Sequence, residues 1–127
     1  MLEIADTDKY SIRINQDKNR LYLKIKGPWH TRDEVPCYLA DLKFAVFQLR
    51  SGFTCVTDMS RMKSLDAEAA LIFEIGAHML VRNGVTRNAG IFNHNNSFHP
   101  VLGKKFFYTG EKQAFYRFTE AERWLDS

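Results

Sequence analysis

Tyr10-Ser-Ile-Arg-Ile-Asn15 and Leu21-Tyr-Leu-Lys-Ile-Lys26 decide how the rest of the chain is read. Both runs alternate side chains that favour a core with side chains that favour water, the two-residue period of a half-buried strand. Only Gln16-Asp-Lys-Asn-Arg20 separates them, a turn-like stretch, so the pair predicts an antiparallel hairpin closed off by Gly27-Pro28. Upstream, the first eight residues read as a loose, acidic lead-in. Downstream, Thr31-Arg-Asp-Glu34 fits a capping box, and Pro36 is compatible only with the first turn of a helix reaching to about Arg50. On that helix Val35, Leu39, Leu42, Val46 and Leu49 share a face, with Tyr38 and Ala45 beside them, and Ser51-Gly52 ends it.

Phe53-Thr-Cys-Val-Thr57, closing on Asp58, is the pattern of a buried strand. Helical spacing follows from Leu65 to Asn83, with Leu65, Ala69, Ile72, Gly76 and Met79 on one face and Asn83-Gly84 as the stop. Val85 to Phe92 reads as a strand, Asn93 to Ser97 as a polar loop, and Pro100 to about Tyr108 as a short helix. Gln113 to Phe118 is the last strand, and Thr119-Glu-Ala-Glu122 opens a final helix carrying Trp124 and Leu125. Strands alternating with helices make crossovers, and right-handed crossovers make parallel neighbours. The expected fold is α/β, with a mixed four- to five-stranded sheet, largely parallel, an N-terminal antiparallel hairpin and four helices.

The chain has 127 residues and 14.8 kDa, the size of one domain spanning 1–127. A chain of this length buries roughly 68% of its unfolded surface, enough for a core without metal or disulfide support. No apolar run approaches the ~18 residues of a membrane-spanning helix, and the acidic start lacks a signal peptide's basic and apolar regions. Cys37 and Cys55 form no CxxC pair, so reduced thiols and a cytoplasmic location are expected. A net charge of +3 is too small to imply nucleic acid unaided, and Arg61, Lys63, Arg82, Arg87, Lys104 and Lys105 are scattered among acids.

In an open α/β sheet, ligands favour the edge formed by loops that follow the parallel strands. That edge is expected to gather Trp29 and His30 after the second strand, Asp58, Ser60 and Arg61 after the third, and His94, Asn95 and Asn96 after the fourth. The same residue types also serve turns and helix caps, and the sequence leaves that reading open. His94 and His99 match no zinc spacing, and His78 has no histidine partner one turn away, so neither metal nor cofactor is expected. No GxSxG elbow or phosphate-cradling glycine motif exists, which leaves no residue set that argues for an enzyme.

On the first helix, Ala40, Phe44 and Phe47, joined by Cys37, point about 120–180° away from the core stripe. Such a patch, flanked by Lys43 and Arg50 on one side and Asp41 and Gln48 on the other, reads as a contact surface for a ligand, a partner or a second copy. The alternative is that the N-terminal segment, with Leu2 and Ile4, folds over it.

The order of elements, together with Val56-Thr-Asp58-Met-Ser60-Arg-Met62-Lys-Ser-Leu-Asp66, resembles the STAS domain shared by sulfate transporters and anti-sigma-factor antagonists. Asp58-Met59-Ser60 matches that family's Asp-Leu-Ser, and Asp66 falls where its second aspartate stands. Phe118 to Leu125 looks like the last helix of the uncharacterised single-domain bacterial members. The resemblance implies a non-enzymatic regulatory module that meets a protein partner, a kinase or a sigma-factor regulator, through Asp58, Ser60, Arg61, Ser64, Asp66 and Glu68. The phosphoregulated members carry a serine just after the second aspartate, whereas here Ala67 and Glu68 follow and offer no hydroxyl. Glu68 reads either as an ordinary first-turn acid or as a loose imitation of a phosphorylated state, and Ser60 and Ser64 remain as nearby acceptors. The alternative is a carrier or sensor of a lipophilic or nucleotide ligand, motivated by ten Phe, five Tyr and two Trp and by the first-helix patch. For it Trp29, His30, Phe44, Phe47, His94 and Asn95 are the expected ligand or dimer contacts.

Overall fold

The computed structural model describes residues 1–62, 66–93 and 111–127. Ser64, His94, Asn95, Asn96 and the helix expected at 100–108 lie outside them. The described chain forms one six-stranded sheet in sequence order: β1 (Leu2–Asp6), β2 (Tyr10–Asn15), β3 (Arg20–Ile25), β4 (Thr54–Asp58), β5 (Arg87–Ile91) and β6 (Glu111–Phe115). β1, β2 and β3 pair antiparallel, and β3 through β6 pair in parallel. Three α-helices are described: α1 (Tyr38–Phe47), α2 (Ala67–Arg82) and α3 (Phe118–Leu125).

The expected hairpin is β2–β3, and the parallel remainder follows the predicted alternation. The sheet is larger than expected, because the supposed lead-in is strand β1. Its apolar period is broken by a register shift between Glu3 and Ala5, so the run does not alternate cleanly. Thr7 turns the chain into β2 by accepting hydrogen bonds from the Lys9 and Tyr10 N–H groups at its Oγ1, both at 3.1 Å. Ile4 and Ala5 pack on the core from the sheet edge. Phe44 and Phe47 stay 57% and 68% exposed, so the N-terminal segment is not their cover.

Two helix starts also differ from expectation. The Glu34 carboxylate accepts from the Thr31 N–H as a capping box requires, at 3.1 Å, but the element it caps is a 3-10 turn, Arg32–Glu34. Pro36 disfavours helical backbone at the residue before it, and Val35 sits at φ −133°, ψ 55°. The α-helix therefore begins only at Tyr38. At the other end α3 takes Arg117 as its N-cap, which puts Thr119 inside the helix rather than at its cap.

Side-chain alternation splits the core in two. Ile12, Ile14, Leu21, Leu23, Ile25 and Cys55 pack under α1 and α2 with Trp29, Tyr38, Leu42, Ala69, Ile72 and Phe73. The helices approach closely at Gly76, where an added Cβ would stand 3.2 Å from Leu42 and 3.3 Å from Tyr38. On the opposite face Tyr22, Val56, Ala89 and Ile91 meet Ala121 and Leu125 of α3. That smaller core is bordered by an ionic network around buried Arg20, which reaches Thr54 Oγ1 at 2.8 Å, Glu122 Oε2 at 3.0 Å and Asp126 Oδ1 at 2.9 Å. Burial first, and the adjoining Glu122 carboxylate second, push the Tyr22 hydroxyl up to about 12.

Candidate functional site

Parallel strands β3 and β4 end at the same edge of the sheet, and the loops that leave them carry most of the sequence-predicted site. After β3, the chain passes Trp29 and His30 into the capped 3-10 turn. Glu34 fixes this turn from inside, accepting from the N–H groups of His30 and Thr31 at 3.1 Å each, and pairing with Lys9 Nζ at 2.9 Å. The Lys9 ammonium and those backbone N–H groups hold the Glu34 carboxyl below the ordinary carboxylate range.

The rigid turn sets two side chains against the start of α2. His30 Nδ1 lies 3.2 Å from Asp66 Oδ2, and the Arg32 N–H donates to Glu68 Oε1 at 3.2 Å, with Arg32 Nε 3.5 Å from the same oxygen. Asp66 is the N-cap of α2, yet its side chain makes no capping hydrogen bond. Its carboxylate is turned across the edge to the β3–α1 loop instead. All four side chains of these two contacts are about half exposed, from 46% to 59%.

After β4, Asp58 Oδ1 accepts from the Ser60 N–H at 2.9 Å and from the Ser60 hydroxyl at 2.6 Å, a closed turn. Met59 behind it is buried, and its N–H donates to the Ile91 carbonyl at 2.7 Å. Arg61 is exposed. The edge thus carries two separate units: the Asp58–Ser60 turn, and the His30–Asp66 and Arg32–Glu68 contacts. Arg32, which the sequence did not single out, is the residue that holds Glu68; at 36 positions apart, no local spacing could have revealed the pair.

Trp29 is corrected from edge residue to core. It is fully buried, donates its indole N–H to the Lys9 carbonyl at 3.0 Å, and packs edge-on against Tyr10, Tyr38 and Phe73. No ligand reaches it in this arrangement. Arg87, one of the scattered cations, is likewise absorbed by structure, reaching Glu111 and the Trp124 carbonyl and lying 5.0 Å over the Trp124 ring.

A second concavity lies on the α3 side of the sheet. It is a cleft of about 260 Å³ lined by Ser11, Arg13, Tyr22, Lys24, Val56, Asp58 and Phe118, with Leu23 also contributing. The strand register aligns Ser11, Lys24 and Asp58 in one row across β2, β3 and β4. Among the described residues there is no cluster of three or more metal-ligating side chains. Among them, too, no helix is long and apolar enough to cross a membrane.

No family model matches this chain, and no curated protein matches it. Among solved structures it is similar to an uncharacterised protein of the DUF3478 family, with a SpoIIAA-like fold, from Shewanella loihica PV-4. The two share 17% identity, and the match covers 95% of this chain and 97% of that one at a TM-score of 0.69. The fold is therefore SpoIIAA-like, which is the STAS-like fold.

Proposed function

We propose that this protein is a non-enzymatic, cytoplasmic regulatory module of STAS type that binds a protein partner along the edge made by His30, Arg32, Asp58–Arg61, Asp66 and Glu68. The observation that carries this reading is the pair of exposed contacts, His30 to Asp66 and the Arg32–Glu68 ion pair, joining the β3–α1 loop to the first turn of α2. Exposed pairs of this kind contribute only ~0–1 kcal/mol to stability, so exchanging them for a partner's charges costs the fold little. The loop that presents them is held rigid by Glu34, which limits the ordering cost of binding. A kinase or sigma-factor regulator is the class of partner that the STAS-like fold suggests.

In this reading the edge is a fixed surface rather than a phosphoswitch. Ala67 has no hydroxyl, and the neighbouring Glu68 carboxylate is already engaged by Arg32. Incubation with a kinase fraction from the host, followed by peptide mapping, tests this directly. No phosphate is expected on 66–68. Phosphate on Ser60, beside the Asp58 carboxylate, would restore a switch displaced by a few residues and overturn the fixed-surface reading.

A small-molecule sensor is the second reading, favoured by the cleft over Tyr22 and Phe118. At about 260 Å³ it is slightly below the usual size of a drug-sized pocket, ~300–1,000 Å³, and it offers Arg13, Lys24 and Asp58 as polar groups. Native mass spectrometry of protein purified from its own host would show a retained ligand, and Arg13→Ala with Lys24→Ala would abolish that retention.

A further inference from the structure

We propose that the cleft on the α3 side of the sheet binds a small aromatic acid with one carboxylate and a neutral hydrogen-bond donor such as a hydroxyl. The inference rests on the small-molecule reading above and deepens it by naming the ligand class. Among the residues lining the cleft is a polar group that the fold leaves unused. Ser11 on β2 is only 8% exposed, and its hydroxyl makes no hydrogen bond among the described residues. A buried hydroxyl without a partner gives up its hydration for nothing in return, so a ligand that supplies the partner accounts for a serine here.

The strand register sets two cations around that hydroxyl. Lys24 on β3 stands directly opposite Ser11, and Arg13, two residues along β2, lies on the same face of the sheet opposite Tyr22. Neither cation forms an ion pair among the described residues. Arg13 lies within Coulombic reach of Asp6, but that carboxylate is bonded to Lys26. A guanidinium, an ammonium and a hydroxyl thus line one cleft as donors, and an anionic oxygen acid is the acceptor that uses all three.

Asp58 narrows the choice of acid. It stands opposite Lys24 on β4, with Oδ1 taken by the N–H and hydroxyl of Ser60 and no described group donating to Oδ2. Two cations and one carboxylate leave one net positive charge, which a monoanion neutralises and a doubly charged phosphate overshoots. Oδ2 is then free to accept from a ligand hydroxyl. The remaining wall is aromatic. Phe118 is 45% exposed although its ring centroid lies 6.0 Å from that of Tyr22, a platform on which a ligand ring can stack. Phe118 also opens α3, whose N-cap Arg117 supplies no capping acceptor, so the positive end of the helix adds to the field at this wall. At about 260 Å³ the cleft suits a compact, single-ring ligand.

Titration of the isotope-labelled full chain with para-hydroxybenzoate, followed through its amide chemical shifts, tests the proposal. Saturable shifts at Ser11, Arg13, Tyr22, Lys24 and Phe118 are expected. Para-hydroxybenzyl alcohol, which lacks the carboxylate, should bind about 30-fold more weakly, and the saturated hydroxycyclohexanecarboxylate about fivefold more weakly. Inorganic phosphate should bind about tenfold more weakly. Arg13→Gln and Lys24→Gln should each weaken binding about tenfold at an unchanged melting temperature, since neither cation is paired in the fold. Ser11→Ala should weaken it about fivefold while the melting temperature holds or rises, which a merely structural serine would not show. No saturation at millimolar concentration, equal binding of phosphate or the benzyl alcohol, or affinity indifferent to Arg13→Gln and Lys24→Gln would each overturn the ligand class. Native mass spectrometry of host-purified protein separates the two failures. A different retained ligand, lost with Arg13→Ala and Lys24→Ala, would overturn the aromatic acid and keep the small-molecule reading, whereas no retained mass and no titration would overturn both.

Discussion

On the α1–α2 side of the sheet, strands β2, β3 and β4 present Ile12, Ile14, Leu21, Leu23, Ile25 and Cys55 to a layer of buried aromatic and aliphatic side chains. On the α3 side the same strands present Arg20, Tyr22, Lys24, Val56 and Asp58, and a small apolar cluster shares the work with an ionic network. The first face is closed by packing, so its chemistry is spent on stability. The second is closed only in part and keeps a cleft and charged groups within reach of solvent. The edge where both faces end, at the start of α2, carries exposed polar contacts that belong to neither core. Close apolar packing and solvent-reachable polar groups are thus allotted to different sides of one sheet.

The comparison is broken most forcefully on the packed side. Trp29→Ala removes a fully buried ring that touches Tyr10, Tyr38 and Phe73, and is expected to cost about 3–5 kcal/mol, read as a loss of Tm of ~10 °C or more. A Tm change of only a degree or two would mean that the packed face is not the main source of stability. On the α3 side, Glu122→Ala strips one partner from buried Arg20 and leaves Asp126 to hold it. An intermediate loss of about 3 kcal/mol in chemical denaturation is expected, and Arg20→Met with Glu122→Met should recover much of it.

These two faces were not equally legible in the sequence. Alternation in 10–15 and 21–26 is a local signal that placed the hairpin, and the strand–helix order that follows placed the parallel strands. The α3 face depends on Arg20 meeting Glu122 across 102 residues, which no window on the sequence contains. The same holds for the edge. Asp58 and Ser60 form a local turn that their spacing suggests, whereas the Arg32–Glu68 and His30–Asp66 contacts join segments 36 residues apart. Trp29 misled because a tryptophan after a strand looks like an edge residue. Only the indole bond to the Lys9 carbonyl, from the neighbouring hairpin turn, shows why it is drawn inward. Strand β1 was hidden by its own bulge.

Acid sharpens the comparison by acting on charges alone. The Arg20 guanidinium beside Asp126 and the Lys9 ammonium beside Glu34 hold both carboxyls below their ordinary values. A folded-state pKa below the unfolded one gives stability that is present above the unfolded pKa and is lost as pH falls through the folded one. Tm is therefore expected to be flat above about pH 5 and to decline below about pH 4. Substituting Asp126→Asn should reduce that decline, and a profile unchanged by this substitution would show that the network does not link to folding.

The smallest effect is a matter of access. Cys55 is buried, and burial pushes its thiol up to about 12, while Cys37 is exposed. Iodoacetamide should label Cys37 in the native protein and leave Cys55 unreacted until denaturant is added. Equal labelling of both under native conditions would contradict a closed packed face.

The claim that recognition belongs to the edge is tested most directly by affinity purification from the host with three forms of the chain: wild type, Asp66→Lys with Glu68→Lys, and Phe47→Glu. All three should be matched for Tm beforehand. The account predicts that a partner recovered with wild type is lost with the edge variant and kept with Phe47→Glu. A partner that stays with the edge variant and disappears with Phe47→Glu would contradict it.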